Sequence, residues 1–409
     1  MVWTVTVFLI AGSLLLVQSV WAFADGARFR RLVRRKRSTA PGNYTPSAAV
    51  VIPCKGIDPG FAANLERFLA QDYPGYKVVF VVATERDKAY QNLRERLGVP
   101  VAPGAIRRAR TSLIVAGFSA ERGEKVNNLL RGIERVEPDT QVLVFADIDA
   151  APSPDWLRCL VARLADPQIT VSTGFRWYLP GSGLASRLRA AWDTSIATML
   201  GDHDHNFAWG GSMAIRASDF RRLEIAERYW AKTVSDDFAL TRAIADARGR
   251  IAFEPRCLVV AREESSVREF FRWSTRQIII TRVYAPHWWV LGLAAHLLYC
   301  ATFAFGAGVM VMPGASAHQR LAVAAFLIAV LLLGAGKGFI RSLVTRELFA
   351  AEIDNGTSCY WRLSPLVPWV MLWNFVMAGL SRRIEWRGTK YELVSCKQVR
   401  VIERSCGCE

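Results

Sequence analysis

The sequence predicts an α/β protein built on an open, mostly parallel sheet and held in a membrane. Short apolar runs at 48–52, 77–82 and 142–146 alternate with stretches of helical spacing. That is the pattern of strands buried on both faces and covered by helices. Residues 2–24 carry no charge, and the apolar stretches 288–312 and 321–340 are again of helix length, each long enough to cross a bilayer. Of the 409 residues, 52% are hydrophobic and 22% charged. The chain is too apolar for a simple soluble enzyme and too charged for a membrane bundle alone.

Taken in order, the first element is the apolar segment, assigned to residues 1–25. A secretory signal would place positive charge ahead of its apolar core; here the charge follows, so a retained anchor with its N-terminus outside fits better. A basic juxtamembrane linker covers 26–46. The first buried strand, Ala48-Ala-Val-Val-Ile52, ends in Pro53-Cys-Lys-Gly56, and a helix with Leu65, Phe68 and Leu69 on one side follows. Residues 77–82 make a second strand ending near Glu85 and Asp87, and 112–116 a weaker third. A helix over 124–134 carries Lys125 and Asn128 and leads into the central strand and the triplet Asp147-Ile148-Asp149. Further on come a helix over 152–164, a strand over 169–175, an amphipathic helix over 184–200 and a glycine-broken turn, Trp209-Gly-Gly-Ser212. A helix opens at Ser235-Asp-Asp237, and Glu254-Pro255-Arg256 separates two short closing strands. The α/β domain therefore spans 47–265 and an interfacial helical segment 266–287. About three membrane helices fall in 288–381, and a basic tail in 382–409.

The formal net charge is +16, which invites a nucleic-acid partner. The densest basic run, 28–37, directly follows the first apolar segment, where membrane proteins keep positive charge, so no nucleic acid is expected. The protein is read as integral to the membrane, the inner membrane in a bacterial cell, with the catalytic domain facing the cytoplasm. Eight cysteines are scattered without a C-x-x-C pair, which favours reduced thiols over a disulfide framework. Cys406-Gly-Cys408 reads as part of a loose tail.

The chemistry is carried by acids placed after strands or at a helix start: Glu85, Asp147, Asp149 and Asp237. Ligands in such sheets bind beyond the carboxyl ends of the strands. Ionised carboxylates side by side repel unless a cation separates them, and oxygen ligands suit Mg²⁺ or Mn²⁺, which commonly also hold phosphate. Each acid also has an ordinary reading, Glu85 as a turn residue and Asp236 or Asp237 as a helix cap. A reaction that uses the set together is sugar transfer from a nucleotide sugar. In it a metal on Asp149 screens the departing diphosphate, and Asp237 takes the proton of the attacking hydroxyl. Arg272 with Trp273 supplies a fixed charge and an apolar wall, or else anchors a helix at the interface.

The ordered set Pro53-Cys-Lys-Gly-Ile-Asp58, Glu85, Lys125-Val-Asn-Asn128, Asp147-x-Asp149, Gly210-Gly-Ser-Met213, Asp236-Asp237 and Arg272-Trp273 resembles a family-2 glycosyltransferase. Within that superfamily it is most similar to the ceramide glucosyltransferase group, family 21, whose closing segment resembles Glu385-Trp-Arg-Gly-Thr-Lys-Tyr391. The resemblance implies a glycosyltransferase A-type fold, inversion at the sugar, a UDP-sugar donor and Mg²⁺ or Mn²⁺. It also implies site roles. Lys55, Glu85, Lys125, Asn128 and Asp147 would hold the nucleotide sugar, with Glu85 taken over Asp87. Asp149 with Asp147 would hold the metal, and Asp237, with Asp236 beside it, would be the base. Trp209, Gly210, Gly211 and Ser212 would lie on the acceptor side. Arg272 and Trp273 match the end of the (Q/R)-x-x-R-W motif, whose first position is here Glu269.

A lipid acceptor follows from placement as well as resemblance. Phe270, Phe271, Ile278, Ile279, Ile280, Trp288 and Trp289 make the junction with the membrane segments apolar and aromatic, as an interfacial helix would be. The reading is transfer of a glucose-like hexose to a lipid hydroxyl such as that of ceramide or diacylglycerol. The alternative is a processive polysaccharide synthase of the cellulose or chitin type.

Overall fold

A computed structural model describes residues 2–98, 109–352 and 359–404; Cys406-Gly-Cys408 lies outside them. The chain forms two compact units. One comprises Arg35–Trp177, Leu200–Ala261 and Arg382–Glu409, and contains a seven-stranded sheet. Its strands are β1 (Ala48–Pro53), β2 (Tyr76–Val82), β3 (Arg110–Val115), β4 (Val142–Ala146), β5 (Ile169–Tyr178), β6 (Ser212–Arg216) and β7 (Arg250–Ala261). They lie in the order β3-β2-β1-β4-β6-β5-β7. β1 pairs in parallel with β2 and β4, and β2 with β3. Beyond β4 the direction changes, because β6 runs antiparallel to both β4 and β5.

That reversal positions the site. Ala146, the last residue of β4, pairs with Ser212, the first of β6. The chain leaving β4 into Asp147 and the chain entering β6 from Gly210-Gly211 therefore meet at one edge. The strands themselves form as their composition dictates. Val50, Val51, Ile52, Val79, Phe80, Val81, Val144 and Phe145 are all buried, and each large side chain removed from water contributes roughly 1.5–3 kcal/mol. On one face Phe68 meets Trp156 edge-on, with centroids 5.6 Å apart; on the other Phe145 meets Trp230 at 5.1 Å. The helix Glu124–Ile133 lies close on the sheet through Gly132, where a Cβ would stand 2.4 Å from Val51 Cγ1.

Two expectations change here. The closing pair of strands is one continuous strand, β7, running through Pro255. It is an edge strand, the place in a sheet where a residue without an N–H is tolerated. The neighbouring Glu254 is fully buried but paired with Arg256 at 2.9 Å. The segment 382–409, read as a basic tail, is folded over residues 383–404 into a second, three-stranded antiparallel sheet: β8 (Arg383–Trp386), β9 (Thr389–Ser395) and β10 (Gln398–Arg404). Arg387 and Gly388, both at positive φ (45° and 75°), make the tight β8–β9 turn, the geometry that two-residue hairpins require. This sheet belongs to the same unit as β1–β7. The Glu124 amide donates to the Tyr391 hydroxyl at 3.2 Å, and Arg404 donates to the Ser119 carbonyl.

The other unit comprises Met1–Arg34, Tyr178–Met199 and Arg262–Ser381. Among the described residues three helices are long and apolar enough to cross a membrane: the N-terminal one (Phe8–Arg37 of Val2–Arg37), Pro286–Val311 and Ala317–Leu348. About three were expected after the α/β domain, and two are of that length. Val367–Leu380 has 14 residues, roughly 21 Å at 1.5 Å per residue, against a hydrocarbon core of about 30 Å. It is tied instead to the amphipathic helix Val267–Tyr284. Asn374 donates to Ser274 Oγ at 3.1 Å and Thr275 Oγ1 at 3.0 Å, and Arg282 donates to the Ala378 carbonyl at 2.8 Å. The N-terminal helix packs on Ala317–Leu348 through Phe8 and Phe326, and Arg30 pairs with Glu347 at 2.5 Å.

Candidate active site

Asp147 and Asp149 follow β4 directly, with Ile148 between them buried, so the alternation of the turn sends both carboxylates the same way. Asp236 and Asp237 arrive on the first turn of the helix Asp236–Asp246. Ser235 is its N-cap, its hydroxyl accepting from the Phe238 amide at 3.3 Å. With the capping done by serine, both aspartates remain in the first turn, where the helix N-terminus favours negative charge.

Two cations bind three of these acids together. Lys125 Nζ lies 2.9 Å from Asp147 Oδ1 and 3.2 Å from Asp236 Oδ2. Arg176, on β5, places one nitrogen, Nη2, 3.2 Å from Asp147 Oδ2 and 2.7 Å from Asp149 Oδ1. Asp237 accepts from the Phe238 amide at 2.8 Å, from the Ser235 hydroxyl and, weakly, from the Gly210 amide at 3.4 Å. The glycines have no room for a side chain. A Cβ on Gly210 would stand 2.1 Å from Asp236 Oδ2 and 2.7 Å from Lys125 Nζ, and one on Gly211 2.2 Å from the Trp209 ring and 2.8 Å from Asp147 Oδ2.

The electrostatics follow from four carboxylates sharing two cations. Burial pushes the Asp236 carboxyl up to about 7, with Lys125 opposing and Asp237 and Asp147 adding to the rise. Burial acts on Asp147 in the same sense, yet Lys125 and Arg176 hold it below its ordinary value. Asp149 is raised, by burial first and by Asp147 beside it, against the pull of Arg176. Lys125 is buried, but Asp147, Asp236 and Asp237 raise its pKa and keep it charged.

A divalent cation would find few protein ligands here. Among the described residues no group of three or more His, Cys, Asp or Glu side chains has metal-holding geometry. What exists is one point, marked by Arg176 Nη2, addressed by an oxygen from each of Asp147 and Asp149. That donor set fits Mg²⁺ or Mn²⁺ carried with a diphosphate, since such ions usually take one or two carboxylates and fill the remainder with phosphate oxygens and water.

The other expected residues fall in different places. Lys55 sits just past β1, paired with Glu124 at 2.8 Å. Glu85 is exposed, with the Tyr90 hydroxyl at 3.5 Å, whereas Asp87 accepts from the Gly56 and Ala89 amides, both at 2.8 Å. Asn128 is buried under β2, its amide donating to the Val81 carbonyl at 3.5 Å. Ser212 lies in the core rather than in an open turn. It is fully buried, its hydroxyl accepting from Trp156 Nε1 at 2.8 Å and donating to the Cys257 carbonyl at 3.3 Å. Trp209 is half-buried, with the Arg176 guanidinium 5.2 Å from its ring centroid.

Arg272 and Trp273 belong to the other unit, on the helix Val267–Tyr284. Arg272 is exposed. Trp273 packs against Tyr178 and Trp192, and Arg189 stacks on its ring at 4.4 Å. Glu269, the departure from the motif, forms a capping box with Ser266, accepting from the Ser266 amide at 2.8 Å while its own amide donates to the Ser266 hydroxyl at 3.2 Å. Its local task is to start the helix.

Arg176 and Arg387 were not anticipated. Arg387, at the β8–β9 turn, pairs with Asp58 at 2.5 Å, donates to the Lys55 carbonyl, and its charge acts on Asp147 and Asp149. A signal for Arg176 exists in the sequence: an arginine inside the buried run of β5 must have anionic partners.

Two solved structures are similar to the chain at low identity. A mannosyltransferase from Pyrobaculum calidifontis, solved with GDP-Man and Mn²⁺, is 16% identical at a TM-score of 0.45, over 90% of this chain and 99% of that one. Glucosyl-3-phosphoglycerate synthase from Mycobacterium tuberculosis, solved with Mn²⁺, UDP and glucosyl-3-phosphoglycerate, is 17% identical at 0.38, over 58% of this chain and 79% of that one. The model of glycosyl transferase family 21 matches residues 7–399, and the chain is a member of that glycosyltransferase family.

Proposed function

We propose that the protein is an inverting, metal-dependent membrane glycosyltransferase that moves a glucose-like hexose from a UDP-sugar to a lipid hydroxyl such as that of ceramide or diacylglycerol. The observation that carries the reading is the convergence of Asp147, Asp149, Asp236 and Asp237 on Lys125, Arg176 and the Gly210-Gly211 turn, in a chain of family 21. The three span-length helices support a membrane acceptor. Asp149 and Asp147 would hold Mg²⁺ or Mn²⁺, which when bound screens charge on the departing diphosphate.

Asp237 is the proposed base. It is half-exposed and its carboxylate is aimed by Ser235 and Gly210, whereas Asp236 is 2% exposed and faces Lys125. Asp237 accepts the proton of the attacking hydroxyl. Asp236 and Lys125 fix the first helical turn behind it. By resemblance, Arg272 supplies a positive charge for the diphosphate and Trp273 an apolar wall.

A cytoplasmic orientation has its own support. Residues 35–177 and 382–409 share one compact unit, so they lie on one side of a bilayer and the chain between them crosses it an even number of times. The two span-length helices Pro286–Val311 and Ala317–Leu348 satisfy that parity. With the basic run 28–37 on the same side as the domain, the positive-inside rule assigns that side to the cytoplasm.

The test is sugar transfer by purified membranes supplied with radiolabelled UDP-sugars and a panel of ceramide, diacylglycerol and sterol-like acceptors. A labelled glycolipid is expected; growth of a polymer with no lipid labelled would favour the processive synthase instead. Asp237→Asn is expected to lower turnover by about 10²–10⁴-fold, the usual range for loss of general-base catalysis, with UDP binding retained. Normal turnover in that variant would remove Asp237 as the base.

A further inference from the structure

We propose that Arg176 is a built-in competitor of the divalent cation, so that metal binds well only together with a nucleoside diphosphate. The proposal rests on the metal reading of Asp147 and Asp149 given above. Its warrant is that one nitrogen, Arg176 Nη2, addresses Asp147 Oδ2 at 3.2 Å and Asp149 Oδ1 at 2.7 Å. These are the two oxygens that a cation between the carboxylates would use. A guanidinium and a divalent ion cannot both occupy that point, since both are positive and both need the same lone pairs.

The surroundings make the exchange workable. Lys125 holds the other oxygen of Asp147 at 2.9 Å, so Asp147 stays charged and fixed when Arg176 moves. The guanidinium is backed by the Trp209 ring at 5.2 Å, an apolar face against which it can pivot while keeping its charge. Arg176 enters from β5, which is held in the sheet between β6 and β7, so only its side chain has to move.

A bare metal ion arriving here breaks two charge-assisted bonds and leaves the guanidinium beside a second cation. A metal ion arriving with a nucleoside diphosphate brings the anion that the displaced guanidinium can pair with, and arginine is well suited to phosphate oxygens. The two ligands therefore bind with positive coupling, and that coupling is reciprocal. The sequence of β5 builds it in, with no loop closure required.

The measurement is Mn²⁺ binding to the full-length protein in detergent, followed by the electron paramagnetic resonance signal of free Mn²⁺, with and without UDP. In the wild type, UDP is expected to tighten Mn²⁺ at least tenfold, which corresponds to about 1.4 kcal/mol of coupling. In Arg176→Gln, Mn²⁺ alone is expected to bind at least tenfold tighter than to wild type, and the effect of UDP to shrink to about threefold or less. Mn²⁺ binding no tighter in Arg176→Gln than in wild type overturns the proposal. If that variant does not fold, Arg176→Ala, which also removes the charge, is measured in its place with the same expectation; wild-type Mn²⁺ binding there overturns it equally. Asp149→Ala separates this failure from that of the underlying reading. It is expected to lose Mn²⁺ binding, and wild-type binding in it removes the metal site itself.

Discussion

Two arginines, one in each unit, are nearly buried beside a tryptophan, and they are held in opposite ways. Arg189 is 4% exposed, stacked between the Tyr178 and Trp273 rings at 4.5 and 4.4 Å, and it donates to Tyr178 at 2.7 Å, Ser265 at 2.9 Å and Glu263 at 2.5 Å. Arg176 has one ring near it and spends its charge on two carboxylates of the acid cluster. A cation stacked between two rings, with a single half-exposed carboxylate as its ionic partner, acts as a structural pin. A cation wedged between two carboxylates is exchangeable, because a divalent ion meets the same oxygens with twice the charge. Burial is thus a poor guide to role; the identity of the partner decides.

Glycines expose the same contrast, and they give the largest expected effect. Gly210→Ala drives a methyl group to within 2.1 Å of Asp236 Oδ2 and 2.7 Å of Lys125 Nζ, so the ion pair at the centre of the acids must open. Transfer activity is expected to fall by more than about 100-fold, the scale on which misplacement by an ångström acts. Gly183, which precedes the helix Leu184–Ala197 in the other unit, has only Glu264 Oε2 at 3.9 Å and Ser186 Oγ at 4.0 Å near a built Cβ. Gly183→Ala is expected to leave activity within about twofold, the ordinary result for a substitution that creates no clash. Steady-state assays on both variants check the pair, and equal losses would erase the distinction between the regions.

The next effect is on stability. Arg189→Met keeps the bulk but removes the charge from two aromatic faces and from Glu263, whose side chain is half exposed. Discounting that exposure, roughly 1–3 kcal/mol is lost, or a fall in unfolding temperature on the order of 5 °C. Neither Mn²⁺ nor UDP should restore it. Arg176→Gln, which leaves two carboxylates facing each other, is also expected to be less stable without ligand, but to recover when Mn²⁺ and UDP are supplied. Thermal unfolding with and without both ligands distinguishes a pin from a placeholder.

Much of this contrast was legible in the chain, and the part that was not has physical causes. β1, β2 and β4 announce themselves because both faces are buried, which leaves unbroken apolar runs. Asp147 and Asp149 could be placed because they follow such a run directly. The place of Ser212 was hidden because a Gly-Gly-Ser triplet looks like an open turn, whereas its pairing with Ala146 makes it the buried first residue of β6. Arg176 is distant in sequence from the acids it serves, and only the antiparallel insertion of β6 between β4 and β5 brings them together. The C-terminal sheet was hidden by its charge: strands with one solvated face alternate polar and apolar residues, and in 383–404 most of the polar ones are arginine, lysine and glutamate. Its turn residues, Arg387-Gly388, were the available clue.

The smallest expected effect concerns Asp236. Its carboxyl is raised in the folded protein to about 7, by burial first, against Lys125 and with Asp237 and Asp147. In the unfolded chain it titrates near an ordinary aspartate value of about 4. Between those two values the folded state holds a proton that the unfolded state has released. Stability therefore falls as pH rises across that window and levels off above 7. Asp236→Asn removes this dependence. The variant is expected to lose stability relative to wild type at pH 5, where it forfeits packing against Lys125 without relieving any charge. At pH 8 the deficit should shrink, or reverse by a few degrees, because the variant has no carboxylate at position 236 to ionise. Unfolding temperatures of both proteins across pH 5–8 measure it, and parallel curves would place the proton elsewhere in the cluster.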